Sequence, residues 1–106
     1  MSVEELRNSA RIAYDRELAK QNLSVTMKSR LVVMYNGGCF TVNRELISFL
    51  NAYGSDTIYL LDDYDIPIEV VSDELLVLCK EKYKEIMNEW QLQYEEQSKI
   101  RTAKSL

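Results

Sequence analysis

The last third of the chain carries an apolar seam that only a long helix can present on one side. Leu76, Cys79, Tyr83, Ile86, Trp90 and Tyr94 recur at intervals of 3, 4, 3, 4 and 4, a spacing that keeps side chains on one helical face. Leu76 and Tyr83 stand seven apart, as do Cys79 and Ile86, the rhythm of a packed seam. Leu75 and Met87 widen the stripe. With Ser72 or Asp73 as cap and an end near Gln97, the helix has about 25 residues and a length of about 37 Å. The chain has 106 residues, one domain's worth, and its other elements are too short to cover such a rod. Trp90 and Tyr94 therefore overhang the core and need cover from the first helix or from another chain.

That first helix opens on a capping-box spacing, Ser2 with Glu5 three residues on. Leu6, Ala10, Ala13, Tyr14 and Leu18 share one face, which the spacing predicts to be the buried one. The next segment reads two ways. Asn22–Ser24 can interrupt the helix, with a second helical run over Val25–Tyr35 stopped at Asn36-Gly37-Gly38. Alternatively Arg30–Tyr35 is a strand, Asn36-Gly37 a type I′ turn, and Cys39–Val42 the return. Met27, Leu31, Met34 and Tyr35 fit helical spacing and tip the reading to helix. Thr41 or Asn43 can cap a further helix over Arg44–Tyr53, ended by Gly54. Thr57–Leu61 and Ile66–Val70 then read as a hairpin around a polar turn, Asp62-Asp63-Tyr64-Asp65. Ile66, Ile68 and Val70 alternate with Pro67 and Glu69, so one face is buried. Pro67 lacks an N–H, which puts its strand at an edge. A lone hairpin is marginal in water, so this one must lie on the helices or pair with another chain.

The expected fold is α+β and mostly helical: three to four helices, one β-hairpin at 57–70 and a long C-terminal helix. Residues 1–97 make a single small domain, and 98–106 a basic, flexible tail. Charge divides the chain differently. Residues 45–79 hold eight acids and no base, against a net charge of -4 for the whole.

Several chemistries are disfavoured on residue type alone. The chain has no histidine, so Ser–His–Asp and Cys–His nucleophile systems cannot be built within it. Cys39 and Cys79 form neither a CxxC pair nor a zinc site and read as free thiols. Asp62, Asp63 and Asp65 lack the glycine of a calcium loop, and read as a solvated turn or an acidic patch facing a basic partner. Glu81, Glu85 and Glu89 read as wet surface. Asn36-Gly37-Gly38 matches no phosphate loop. No cofactor, metal or small-molecule substrate is implied, and an enzyme is not expected. No apolar stretch approaches the about 20 residues of a membrane span, and the N-terminus does not read as a signal peptide. A cytoplasmic location follows as the expectation.

What remains is interaction. The interface candidates are Tyr83, Ile86, Met87, Trp90 and Tyr94 on the long helix, and Ile66, Ile68 and Val70 on the hairpin. Protein partners or self-association are expected. The alternative is a small regulatory protein touching nucleic acid through its basic ends (Arg7, Arg11, Lys28 and Arg30, then Lys99, Arg101 and Lys104), though phosphate affinity usually needs more such contacts.

Over residues 31–91 the texture of the chain resembles small accessory and virion proteins of large contractile-tailed phages. The residues concerned are YNGGCFTVNRELISFLNAYG, the hairpin and the NEW at 88–90. The resemblance implies a structural or assembly role and a place in the virion. It carries no functional residue over.

Overall fold

A computed structural model describes residues 2–105, with side chains described for 2–99. The elements are α1 (Val3–Arg30), β1 (Val32–Tyr35), β2 (Gly38–Thr41), α2 (Arg44–Tyr53), β3 (Thr57–Leu61), β4 (Pro67–Val71) and α3 (Ser72–Ser105). The fold is mostly helical with a long C-terminal helix, as expected, but it holds two β-hairpins among the described residues rather than one.

The Ser2–Glu5 capping box forms in both directions. α1 then runs unbroken through Asn22–Ser24, because Leu23 and Met27, one turn apart, are both buried against the core. That packing outweighs the few tenths of a kcal/mol, about 0.5 per residue, that polar residues cost a helix. The helix stops at Arg30. The expected second helical run over Val25–Tyr35 is therefore overturned, and β1 and β2 form the hairpin instead. Asn36 and Gly37 both take positive φ, 48° and 81°, which is the two-residue turn whose twist matches paired strands. This sets Tyr35 opposite Gly38 and Val33 opposite Phe40. Gly38 lies so close to the second hairpin that a Cβ there would stand 2.7 Å from Ile68 Cγ1.

Asn43 caps α2, its side chain accepting from the Leu46 N–H at 2.8 Å, and Gly54 closes it. β3 and β4 pair antiparallel with Tyr59 opposite Glu69 and Leu61 opposite Pro67. Ser72 opens α3 as a buried latch rather than a cap. Its hydroxyl donates to the Leu50 carbonyl at 2.6 Å, and its N–H to the Asp56 carbonyl at 2.9 Å. α3 continues past the expected end near Gln97.

Phe40, Val42, Leu50, Val70, Leu75 and Cys79 centre the core, with Met27 and Ile86 reaching into it from the long helices. We call this part the head. The distal stretch of α3 and the N-terminal part of α1 project from it as an arm. The molecule measures 65 × 24 × 21 Å with a radius of gyration of 19.8 Å, well above the about 13 Å of a compact chain near this length.

Candidate functional site

The aromatic seam of α3 divides in two. Leu76, Cys79 and Ile86 are buried in the head, whereas Tyr83 and Trp90 are half-buried and Tyr94 and Met87 are exposed. Tyr83, Met87 and Trp90 line a cleft of about 390 Å³ with Leu31, Val42 and Asn43, and Lys28 and Arg44 contribute cations to it. Its walls come from four elements that meet where α1 ends. Arg30, at that end, reaches across to Glu89 at 2.6 Å. The bond raises the Arg30 pKa and lowers that of Glu89, in each case chiefly through the shared hydrogen bond.

The hairpin candidates separate likewise. Val70 is fully buried, so it and Ile86 are core rather than surface offered to a partner. Ile68 is half-buried beside Gly38, and Ile66 is exposed.

The acidic turn is exposed at Asp63, Tyr64 and Asp65, as expected, but Asp62 is buried. Asp62 Oδ1 accepts from the N–H groups of Tyr64 (2.9 Å) and Ile66 (3.0 Å), and Oδ2 from that of Cys39 (3.2 Å). Asp63 accepts from the Thr41 N–H (3.1 Å) and hydroxyl (2.7 Å), and donates its own N–H to the Cys39 carbonyl at 2.8 Å. Cys39 and Thr41 are the residues whose backbone groups point out from β2. The two aspartates therefore cap that edge and clamp one hairpin to the other. The Asp62 carboxyl is held below its usual range, chiefly by the Ile66 N–H and then by those of Cys39 and Tyr64, against an opposing effect of burial.

Neither cysteine forms a disulfide, and the Cys39 thiol donates to Asp63 Oδ2 at 3.8 Å. Burial pushes the Cys79 thiol up to about 11, and the Cys39 thiol is raised by desolvation and then by the Asp63 charge. A thiol held protonated is a poor nucleophile. Among the described residues no cluster of acidic or sulfur side chains is placed to hold a metal ion, and no helix is long and apolar enough to cross a membrane.

The surface that spacing alone misassigned is on α1. Leu6, Tyr14 and Leu18, expected to face the core, are exposed, as are Val3 and Val25. At 100° per residue Val3, Tyr14, Leu18 and Val25 lie on the side of α1 nearly opposite Leu23 and Met27, whereas Leu6 lies to one flank and Ile12, also exposed, lies on the side of Leu23 and Met27. The residues of α1 before Ala19 are thus exposed on every side, not on one face alone. On the distal part of α3, Leu92 and Tyr94 are exposed, and Gln97 Oε1 is buried without a hydrogen-bond partner among the described residues. No protein-family model, curated protein or solved structure matches the chain.

Proposed function

We propose that the protein is a non-catalytic interaction module, a structural or assembly component of a larger complex, which docks through the exposed apolar side chains of α1. The observation that carries this reading is the run of exposed apolar side chains on that helix, Leu6, Tyr14, Leu18 and Val25 among them. Burying a large apolar side chain is worth about 1.5–3 kcal/mol. Four of them are of the size needed to meet the about 4–15 kcal/mol that association costs. The lack of histidine and the raised thiols fit a non-catalytic role. A phage virion is the setting the sequence resemblance implies. The basic residues of the first part of α1 are interspersed with Glu4, Glu5, Asp15 and Glu17, which favours a protein surface over phosphate.

The test is light scattering on the full chain, together with its retention by its native complex, beside a variant with Leu6, Tyr14 and Leu18 all changed to Glu. The expected outcome is association by the parent and its loss in the variant, with the unfolding midpoint of the head unchanged. A parent that stays a single chain, and is retained by its native complex as well as the variant is, overturns the reading.

A further inference from the structure

The second surface is an unfilled sheet edge. Ser72 donates to Asp56 and Asp62 to Ile66 across the second hairpin. With the register of β3 and β4, this fixes Ile58–Val70 and Leu60–Ile68 as the hydrogen-bonded pairs. The N–H and C=O groups of Thr57, Tyr59 and Leu61 therefore point away from β4, and they have no partner among the described residues. Two other strand edges are occupied. That of β2 is capped by Asp62 and Asp63. That of β4 lacks an N–H at Pro67, receives the Asn36 amide at Glu69 (3.0 Å), and gives its Val71 N–H to the Tyr35 hydroxyl (3.3 Å). The β1 edge offers only Val32 and Met34. β3 thus presents the longest open row. Beside it lie Tyr59 and Leu61, 75% and 57% exposed. An edge left in this state is a template for another strand.

Charge selects the occupant. The segment 45–79 holds eight acids and no Lys or Arg. The ion pairs among the described residues, Arg30–Glu89 and Lys82–Glu85, lie outside it. A second copy of β3 would bring its own acids against these, so self-pairing is opposed. We propose that β3 takes an extended, lysine- or arginine-bearing segment of a partner protein as an added strand, with apolar side chains beside Tyr59 and Leu61. This surface is separate from the exposed apolar side chains of α1, so either can fail while the other stands.

Amide hydrogen exchange on the full chain tests it. The probe is an eight-residue peptide alternating Val and Thr between paired lysines, with a glutamate-flanked peptide as its control. At saturation the basic peptide slows exchange at Thr57, Tyr59 and Leu61 by about tenfold or more, as new strand bonds require, and the acidic peptide does not. Tyr59→Pro removes one outward N–H and no ladder bond, as Pro67 already does across the sheet, and abolishes the effect. Unchanged exchange at Ile58 and Leu60 shows that the hairpin persists. Should Tyr59→Pro disturb it, Tyr59→Lys keeps the N–H, adds a like charge, and weakens binding of the basic peptide. The proposal is overturned by no protection at β3, by equal protection from both peptides, by protection at Val32 and Met34 instead, or by protection of β3 in the protein alone as it self-associates.

Discussion

The head and the arm use the same kinds of residue to opposite ends. In the head, Leu50, Leu75, Val70 and Cys79 lose all contact with water. The polar groups that burial strands are also matched: Ser72 bonds Leu50, and Asp62 takes three N–H groups. In the arm, leucines and a tyrosine at equally regular spacing stay wet, and a buried Gln97 oxygen has no partner among the described residues. The head is a finished packing problem, and the arm is half of one. Periodic apolar residues mark a shared face, and whether that face is buried depends on what packs against it.

The widest separation should appear in deletion of leucine side chains. Leu50→Ala leaves a cavity at a fully buried site and should cost about 2–5 kcal/mol in urea unfolding. Leu6→Ala, in the arm, should stay within about 0.5 kcal/mol for the isolated chain. Comparable losses would mean that α1 packs on the chain itself and would erase the contrast. Next in size is the contact between hairpins. Gly38→Ala places a methyl 2.7 Å from Ile68 Cγ1, an overpacking that should cost about 1–3 kcal/mol by the same measurement. Reducing Ile68 to Val or Ala in the Gly38→Ala background should recover part of the loss.

How far these features were legible follows from the sequence distance of the partner that fixes each. The Ser2–Glu5 box and the Asn43 cap bond three residues away, and both read directly from local spacing. The β3–β4 hairpin and the α3 seam also read locally. The first hairpin was misassigned because Met27, Leu31, Met34 and Tyr35 happen to satisfy helical spacing. The decision lies instead with Asn36 and Gly37, whose paired positive φ makes the turn. The Asp62–Asp63 clamp was missed because its partners on β2 lie more than 20 residues away in the chain, where no spacing rule reaches. The apolar residues of α1 share a face by spacing, but period does not say that this part of the helix runs out beyond the core, where Leu6, Tyr14 and Leu18 are exposed.

The clamp should give the head an acid limit. The Asp62 pKa is depressed in the folded protein. Its contribution is complete above the unfolded value of about 3.9, and is lost as pH falls through the depressed folded value. Asp62→Asn should lower the unfolding midpoint at neutral pH and flatten the acid limb, because one side-chain atom turns from acceptor to donor. Asp65→Asn should do neither, since asparagine also accepts the φ of 59° found there. Equal effects at the two positions would place the stabilisation in net charge rather than in the clamp.

The smallest effect belongs to the junction of the two regions. Arg30 and Glu89 meet at 2.6 Å with both side chains partly exposed, 42% and 37%, so salt screens the pair and its removal should leave the unfolding midpoint where it was. A more local measurement will see it. The Glu89 carboxyl is lowered first by the Arg30 hydrogen bond. In Arg30→Gln its titration, followed by carboxyl chemical shift, should move back up toward the ordinary range. The remaining Gln93 amide, 3.3 Å from Glu89 Oε1, should keep it from returning fully. If the titration does not move, the ion pair does not persist in solution. The arm then meets the head through apolar packing at Leu23 and Met27 alone, a hinge free to swing.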